Sequence, residues 1–386
     1  MNIILIVQSL DPIYGGPATS VPSLARGLLS TNVQTLILSL GNDVDESSII
    51  NYKIKYKIFK IQFGKKLQFS TGLLLYLLKN TNSNSVLHFN EIWNFSALIP
   101  YVIAKYKKIP YVVSTRGVLS DACLQSSSLR KKIANVLFVR RMLTGANAIH
   151  VTSEDELSRV KQLINNNNVY NIPNIADTNS VYKVTRDEAT KELCIDGDKR
   201  YISTMARQIQ HKGSHKIIKA MAHRDCDWTL LIGGPLVDDK YYEYLLLLAK
   251  KYNISDKVIF LDQLDNYKKS CLFKVSEYFV LLSDSENFGM VILESLMHST
   301  PVITTKNTPW KQLVKCKAGW WVDDNDKSIS NAIVDAYQTN NIMHHNMKKN
   351  SHLLYEKYSG KSILKKYKKM YNSIYSNYQK NIGESE

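Results

Sequence analysis

The feature that most constrains this chain is the stretch from Tyr278 to Thr305, which has the pattern strand, loop, helix and strand. Tyr278 to Leu282 is a short apolar run that ends at polar residues, and Pro301 to Thr305 is a second β-rich run after a helix-length interval. Two such strands joined by one helix form a βαβ unit, which predicts a parallel sheet. Parallel sheets of this kind bind nucleotides in a crevice at the carboxyl ends of their strands.

Two carboxylates, Glu286 and Glu294, lie between these predicted strands. Eight residues along one helix would turn them about 80° apart, so we place Glu286 in the loop and Glu294 about one turn inside the helix. At the helix start, the free N–H groups of Gly289, Met290 and Val291 can donate to oxygens of a bound diphosphate or sugar. Glu294 can accept both hydroxyls of a ribose diol, and Glu286 then faces a transferred sugar. The alternative for the two glutamates alone is a solvated loop residue and a paired helix residue.

The residues around the glutamates resemble the E-x7-E region of the family 4 retaining glycosyltransferases. The resemblance continues through His298-Ser299-Thr300-Pro301-Val302, Thr308-Pro309-Trp310 and Ala318-Gly319-Trp320-Trp321. These later residues look most like the branch that builds bacterial surface polysaccharides, O-antigen or capsule. The resemblance implies an α/β fold of the GT-B type: two facing Rossmann-like, doubly wound domains, with a cleft between them and a C-terminal helix that crosses back. It also implies donor binding in the second domain and acceptor binding in the first.

The chain length fits two domains, because 386 residues exceed one ordinary core. We place the N-terminal acceptor domain at residues 1–177, the donor domain at 178–355 and the returning helix at 356–386. The segment from Asn171 to Asp177 resembles the family's Ile-Pro-Asn-Gly exit from the first domain, with Ile175 where glycine is usual. The polar stretch from Asp177 to Arg200 is the predicted linker.

Four residues of the first half are candidates for contact with substrates. Gly15 and Gly16 follow the first predicted strand, where a loop of glycines can approach a diphosphate or an acceptor closely. Asn90 and Arg116 each follow a later strand, and the resemblance implies an acceptor site there. Many family members carry histidine where this chain has Arg116, which instead fits the Ser-x-Arg-Gly pattern of the polysaccharide branch. Arg116 can hold a phosphate or hydroxyls of the acceptor or pair with a carboxylate, whereas His88 is predicted to be a packed residue.

Two cations of the second half, Arg207 and Lys212, flank a predicted turn from a strand into a helix. A diphosphate there can meet both cations and the helix N–H groups. They match the family's Gly-Arg-Leu and Lys-Gly positions, although Ala206 replaces the first glycine. With Glu286 they are the predicted catalytic residues, and Gly234, at the exit of the next strand, is a further candidate for donor binding.

No metal or other cofactor is expected. Asp-x-Asp triplets occur at Asp43-Val44-Asp45, Asp196-Gly197-Asp198 and Asp225-Cys226-Asp227, but none clearly lies beside the motifs above. A metal-dependent transferase needs carboxylates that bridge the ion to the diphosphate. Here the two cations and backbone N–H groups can stabilise that charge instead.

The net charge of +16, from 50 basic and 34 acidic residues, predicts an anionic partner. We favour an acidic membrane surface over nucleic acid, because basic residues cluster beside apolar helices. The clusters are Lys53, Lys55, Lys57, Lys60, Lys65 and Lys66, then Arg130-Lys131-Lys132, and Arg140-Arg141. The chain has no run of 18 apolar residues, no signal-peptide pattern, and five scattered cysteines that indicate a reducing compartment. We therefore expect a cytoplasmic protein that binds peripherally to the inner face of the plasma membrane.

Together these features predict a glycosyltransferase that moves a hexosyl or N-acetylhexosaminyl group from a nucleotide-diphosphate donor to a lipid-linked oligosaccharide, with retention of anomeric configuration. Two alternatives remain open: a sugar-nucleotide epimerase on the same fold, and a basic nucleic-acid-binding protein. A dehydrogenase is disfavoured, because no G-x-G-x-x-G follows the first strand.

Overall fold

The computed structural model describes residues 1–42, 53–64, 68–117, 138–177, 180–222 and 226–383, which form two units with one parallel sheet each. Unit 1 comprises Met1–Ile175 and Gly360–Glu386, and unit 2 comprises Ala176–Ser359. The predicted α/β fold with two Rossmann-like sheets is confirmed. The first boundary between the units follows Ile175, two residues before the predicted boundary at residue 177. The second follows Ser359, four residues after the predicted boundary at residue 355.

The strands are β1 (Asn2–Val7), β2 (Gln34–Leu40), β3 (Tyr56–Phe59), β4 (Ser85–Phe89), β5 (Tyr111–Ser114), β6 (Ala148–Val151), β7 (Val169–Asn171), β8 (Arg200–Met205), β9 (Trp228–Gly233), β10 (Val258–Phe260), β11 (Ser276–Leu281), β12 (Val302–Thr305) and β13 (Gly319–Val322). The α-helices are α1 (Gly16–Leu29), α2 (Thr71–Asn80), α3 (Phe95–Tyr106), α4 (Arg140–Thr144), α5 (Glu154–Leu163), α6 (Arg186–Glu192), α7 (Ser214–Ala222), α8 (Asp239–Lys251), α9 (Asn266–Val275), α10 (Met290–Met297), α11 (Gln312–Lys315), α12 (Asp326–Tyr337), α13 (Asn341–Glu356) and α14 (Gly360–Gly383).

Unit 1 has the sheet order β3-β2-β1-β4-β5-β6-β7, with all pairs parallel. Both faces of this sheet are buried at β1. Ile4 and Ile6 lie in the core on one face, and Ile3, Leu5 and Val7 lie in the core on the other. Such a strand is apolar throughout because a parallel sheet has helices on both faces. The strand order reverses between β1 and β4, so the carboxyl ends of these strands bound the crevice of unit 1.

The C-terminal helix α14 is tied to the sheet of unit 1 by a buried chain of polar side chains. Tyr371 contacts His88 Nδ1 at 2.6 Å, His88 Nε2 contacts Ser114 Oγ at 2.7 Å, and Ser114 Oγ contacts His150 Nδ1 at 2.6 Å. Tyr367 completes the chain at 3.0 Å from His150 Nε2. Burial holds the pKa of His88 well below its usual value and lowers the pKa of His150 to about 3. His88 is therefore a packed residue, as the sequence predicts.

Unit 2 has the order β10-β9-β8-β11-β12-β13, again with all pairs parallel. Its order reverses between β8 and β11, and the segments that follow these two strands, the second of which includes α10, carry most of the residues predicted to bind the donor. The βαβ unit that anchored the sequence analysis is β11, α10 and β12.

One prediction of chain organisation is wrong. The predicted linker, Asp177 to Arg200, contains helix α6, which starts with a capping box of Thr185 and Glu188 and buries Ala189 in the core of unit 2. The helix placed at residues 356–386 is α14, which begins at Gly360 and belongs to unit 1, whereas Glu356 ends α13, which belongs to unit 2.

Several residues of the sequence analysis lie outside the described ranges: Asp43-Val44-Asp45, Lys65, Lys66, Arg130-Lys131-Lys132 and Asp225. Among the helices that the structure does describe, none combines the length and the apolar character needed to cross a bilayer.

Candidate active site

The loop after β8 brings Arg207 and Lys212 to the carboxyl edge of the unit 2 sheet. The loop ends in a 3-10 turn over Gln210–Lys212, and Gly213 then adopts φ +81° before α7 begins. A Cβ atom at Gly213 would lie 2.2 Å from the carbonyl oxygen of Leu282. Only glycine permits this close approach, which holds Lys212 against the end of β11.

Lys212 and Glu286, both predicted catalytic residues, form an ion pair. Lys212 Nζ lies 2.5 Å from Glu286 Oε1, and the side chains are only 16% and 15% exposed. Ser283 Oγ donates to the same carboxylate oxygen at 2.9 Å, and the Glu286 backbone N–H donates to the carbonyl of Asn307 at 3.0 Å. The carboxylate is thus fixed through Oε1 in the loop above β11.

Arg207 differs from Lys212 because its side chain has no hydrogen bond or ion pair within the described part of the chain. The residue is partly buried in the same loop. Burial, together with the charges of Lys212 and Arg207, lowers the pKa of His211. At the carboxyl ends of the adjacent strands β8 and β11, the site therefore has one cation that a carboxylate neutralises, Lys212, and one that has no carboxylate partner, Arg207.

The start of α10 adds free backbone donors. Gly289 is its N-cap with φ +74°, and no side chain caps the helix. The N–H groups of Met290 and Val291, in the first turn, therefore have no intrahelical acceptor. The Trp310 indole N–H donates to the Phe288 carbonyl at 2.5 Å and fixes the chain that enters the helix. An uncapped helix N-terminus of this kind favours anions.

Glu294, predicted to bind a ribose, lies in α10 with its side chain 12% exposed. Its Oε2 atom is 3.4 Å from Lys269 Nζ on α9. The structure therefore shows the pairing that the alternative interpretation of this residue proposed. A diol bound by Glu294 would share the carboxylate with Lys269.

Gln208, which the sequence analysis did not single out, holds the loops after β8 and β9 together. Its fully buried amide donates to the carbonyls of Ala206 at 2.7 Å and Gly233 at 3.0 Å, and it accepts from Ser214 Oγ at 2.8 Å. Gly234 has φ +110°, and a Cβ there would lie 2.0 Å from the Ala206 carbonyl oxygen. The structure thus gives Gly234 a reason to be glycine that is independent of any ligand.

In unit 1, the predicted acceptor residues Asn90 and Arg116 are in contact. Arg116 Nη2 donates to Asn90 Oδ1 at 2.6 Å, and Nη1 donates to Ser20 Oγ at 2.8 Å and Asn174 Oδ1 at 3.0 Å. These residues follow β1, β4, β5 and β7, so they meet at one edge of the sheet. Among the described residues, no carboxylate forms an ion pair with Arg116, although the sequence analysis left that pairing open.

The predicted glycines of unit 1 lie at the start of α1. Gly15 is the N-cap with φ +84°, and no side-chain cap is present. A Cβ at Gly16 would meet no atom within 4 Å, so the space beside it is open. Both lie in the loop that follows β1.

Glu91, beside Asn90, was not selected from the sequence as a site residue. Burial raises its pKa to about 7, and its Oε1 atom is buried without a hydrogen-bond partner. Asn94 Nδ2 donates to Oε2 at 3.4 Å. A carboxyl group with a raised pKa after β4 has no sequence signal beyond its position after a buried strand.

No group of three or more His, Cys, Asp or Glu side chains in the described ranges is placed to hold a metal ion.

Comparisons with known proteins show what the chain is similar to. Residues 185–353, within unit 2, match the model of glycosyl transferases group 1. A glycosyltransferase of Methanocaldococcus jannaschii is 24% identical over 389 residues, 95% of this chain and 96% of that protein. The lipopolysaccharide core biosynthesis glycosyltransferase LpsE of Rhizobium meliloti is 29% identical over 136 residues, 35% of this chain and 37% of LpsE.

The fold also matches a solved structure over nearly its whole length. HepE of Anabaena, crystallised in complex with UDP and glucose, superposes with a TM-score of 0.81 at 16% identity, covering 97% of this chain and 100% of HepE. At this identity the match concerns the fold. The chain thus has the GT-B fold of glycosyltransferases, and residues 185–353 of its second unit match the group 1 glycosyltransferase model, as expected for an enzyme that transfers glycosyl groups.

Proposed function

We propose that this chain transfers a hexosyl or N-acetylhexosaminyl group from a nucleotide-diphosphate sugar, bound by unit 2, to a hydroxyl of a lipid-linked oligosaccharide, bound by unit 1. The anomeric configuration is retained. The observation that carries the proposal is the convergence of Arg207, Lys212, Glu286 and the uncapped start of α10 at the carboxyl ends of β8 and β11. HepE, which has the same fold, is described in complex with UDP-glucose.

The difficult step is the departure of the diphosphate. Arg207 and Lys212 stabilise its developing charge, by about 1.5 to 3 kcal/mol for each charged hydrogen bond. The N–H groups of Met290 and Val291 add neutral donors to the same anion. No metal is needed for this charge, and no strong base is needed if the acceptor hydroxyl passes its proton to the leaving phosphate.

The two glutamates take different roles in this proposal. Glu286 stabilises positive charge at the anomeric carbon, because its carboxylate is fixed by Lys212 and Ser283 in the loop above β11. Glu294 binds the ribose hydroxyls next to Lys269.

An anionic membrane surface is the second partner. The mutually packed helices α2 and α3 each expose two large apolar side chains, Leu75 and Leu78, and Val102 and Tyr106, whose exposures range from 37% to 77%. Exposed basic residues accompany them: Lys53, Lys55, Lys57, Lys60, Lys79, Lys105, Arg140 and Arg141. Apolar side chains interspersed with cations suit a bilayer of acidic lipid, where each basic residue contributes about 1 kcal/mol. The protein then works peripherally on the inner face of the plasma membrane.

The pathway we propose is the synthesis of bacterial surface polysaccharide, lipopolysaccharide O-antigen or capsule. Partial similarity to LpsE, named for lipopolysaccharide core biosynthesis, supports a surface glycan. The motifs from Thr300 to Trp321 support the same branch.

The test is sugar transfer by the purified protein. Radiolabelled nucleotide sugars would be incubated with lipid-linked oligosaccharides in anionic vesicles, and NMR would compare the anomeric configuration of donor and product. We expect label in the lipid fraction with the anomeric configuration of the donor retained, and we expect Arg207→Ala to lower the rate of labelling at least about tenfold. Conversion of the donor sugar without any acceptor would support the epimerase instead, and inversion would contradict the retaining mechanism.

A further inference from the structure

The guanidinium of Arg116 has donors that the protein does not use. Arginine carries five N–H groups, and three of them are bonded to Ser20, Asn174 and Asn90. Nε is buried without a partner, and Nη2, next to it, uses one of its two hydrogens in the bond to Asn90. Adjacent guanidinium nitrogens of this kind match the two oxygens of a carboxylate or a phosphoryl group.

The charge of Arg116 also has no ion-pair partner. Its three acceptors are a hydroxyl and two amides, all neutral. The nearby carboxylate of Glu156 is occupied by other donors: Thr115 Oγ1 at 2.6 Å, the Gly117 N–H at 2.6 Å and the Thr152 N–H at 2.8 Å. No ion pair with Arg116 occurs among the described residues. A cation in this position is normally paired, because removing it from water is costly.

The backbone at Arg116 is strained as well. Its φ of +50° is left-handed, a conformation that side chains other than glycine, asparagine and aspartate seldom adopt. A strained backbone and a buried, unpaired N–H at the same residue mark a place where an ion is missing or where function requires the strain. Arg116 follows β5, and Ser20, its partner, lies in the second turn of α1, whose uncapped start also favours negative charge.

We infer that Arg116 binds one anionic group of the acceptor, a carboxylate or a phosphoryl group, through Nε and Nη2. Ser20, Asn90 and Asn174 position the guanidinium for it. This inference rests on the proposed function, because it makes unit 1 the acceptor site, and it restricts the acceptor to a molecule with an anion near the reacting hydroxyl. A phosphoryl group would come from the lipid carrier, and a carboxylate from an acidic sugar.

The first experiment measures anion binding to the full chain. Inorganic phosphate and sodium glucuronate would each be titrated at constant ionic strength, with UDP present at saturation to occupy unit 2. We expect at least one anion to raise the melting temperature, and Arg116→Gln to raise the Kd of that anion at least about tenfold. The control Lys366→Gln removes one positive charge from an exposed position of α14 and should leave the Kd unchanged.

A second variant tests the missing countercharge directly and does not depend on the folding of Arg116→Gln. Asn174 Oδ1 lies 3.0 Å from Arg116 Nη1, and the Asn174 side-chain NH2 makes no hydrogen bond within the described residues. Asn174→Asp therefore adds a carboxylate of the same shape beside the guanidinium. We expect it to raise the melting temperature of the ligand-free protein and to weaken anion binding at least about tenfold.

The two anions distinguish the two origins of the acceptor's anionic group. A response to phosphate supports the lipid carrier, and a response to glucuronate supports an acidic sugar. No response to either, or a response that survives both Arg116→Gln and Asn174→Asp, overturns the inference. Stabilisation by UDP reports unit 2 separately: if UDP binds while the anions do not, the inference fails and the proposed donor site stands. If UDP does not bind, the anion titrations repeated without it still test Arg116.

Discussion

Replacing Glu286 with glutamine should separate binding of the nucleotide from transfer of the sugar. In the ligand-free protein Lys212 is neutralised by Glu286 at 2.5 Å, so a diphosphate must compete with that carboxylate for the ammonium. A hydrogen bond between charged groups contributes about 1.5 to 3 kcal/mol, roughly twice a neutral one. Glu286→Gln should therefore free about 1 kcal/mol of interaction for the diphosphate, and UDP should bind about fivefold more tightly.

The same substitution should slow the reaction and destabilise the ligand-free protein. Without the carboxylate, positive charge at the anomeric carbon loses its stabilisation, and kcat should fall by about tenfold to a hundredfold. The ammonium of Lys212, 16% exposed, also loses its partner, which should lower the free energy of unfolding by about 1 to 3 kcal/mol. Calorimetric titration with UDP, steady-state kinetics and thermal unfolding measure the three effects. Weaker UDP binding together with an unchanged kcat would refute the reasoning.

Four further predictions concern other residues of the two units. Arg207→Ala and Lys212→Ala should each lower kcat/KM at least about tenfold, about 1.4 kcal/mol; near-normal turnover in both would remove the diphosphate from this loop. Glu294→Gln should chiefly raise the donor KM, since a ribose contact exists in both ground and transition states; a lower melting temperature with normal kinetics would leave only its pairing with Lys269. The buried His88 and His150 have lowered pKa values, so their contribution to stability is present above about pH 6.5 and is lost as the pH falls toward their folded pKa values, about 3 for His150. Glu91, with its pKa raised to about 7, takes up a proton in the folded state as the pH falls and so adds stability where the histidines lose it. Glu91→Gln removes this contribution, so the free energy of unfolding, measured by denaturant titration, should fall more steeply between pH 6.5 and 5, by up to about 1.4 kcal/mol per pH unit. An unchanged slope would contradict the buried, protonated state of Glu91. Binding to anionic vesicles should weaken as salt shortens the Debye length below about 10 Å, and equal binding to neutral vesicles would count against the membrane surface.

Strands were predictable because each parallel strand buries both faces and is therefore an apolar run. The strands β11 and β12 lie at the apolar runs Tyr278 to Leu282 and Pro301 to Thr305 that predict them, within two residues at each end. The E-x7-E spacing separates Glu286, in a loop, from Glu294, in a helix, as predicted. These features depend on local patterns of a few residues.

Long-range contacts were not predictable from local patterns. The pair of Lys212 and Glu286 joins residues 74 apart, and Arg116 contacts Ser20, 96 residues away. The helix α6 escaped detection because its sequence is mostly polar, with only Ala189 and Thr190 buried. The division of the C-terminal tail depends on which unit each helix packs against: α13 buries Leu354 in unit 2, and α14 buries Met370 in unit 1.

The most direct test of the account is thermal stabilisation by a panel of nucleotide sugars, measured on the wild type and on the double variant Arg207→Ala/Lys212→Ala. A donor at 100 times its Kd should add about 2.7 kcal/mol to the free energy of unfolding, or about 5 to 10 °C for a unit of this size. One class of nucleotide sugar should stabilise the wild type by this amount, and the double variant should lose most of the shift. Stabilisation of equal size in both proteins, or none by any nucleotide sugar in the wild type, would contradict a donor site at the ends of β8 and β11.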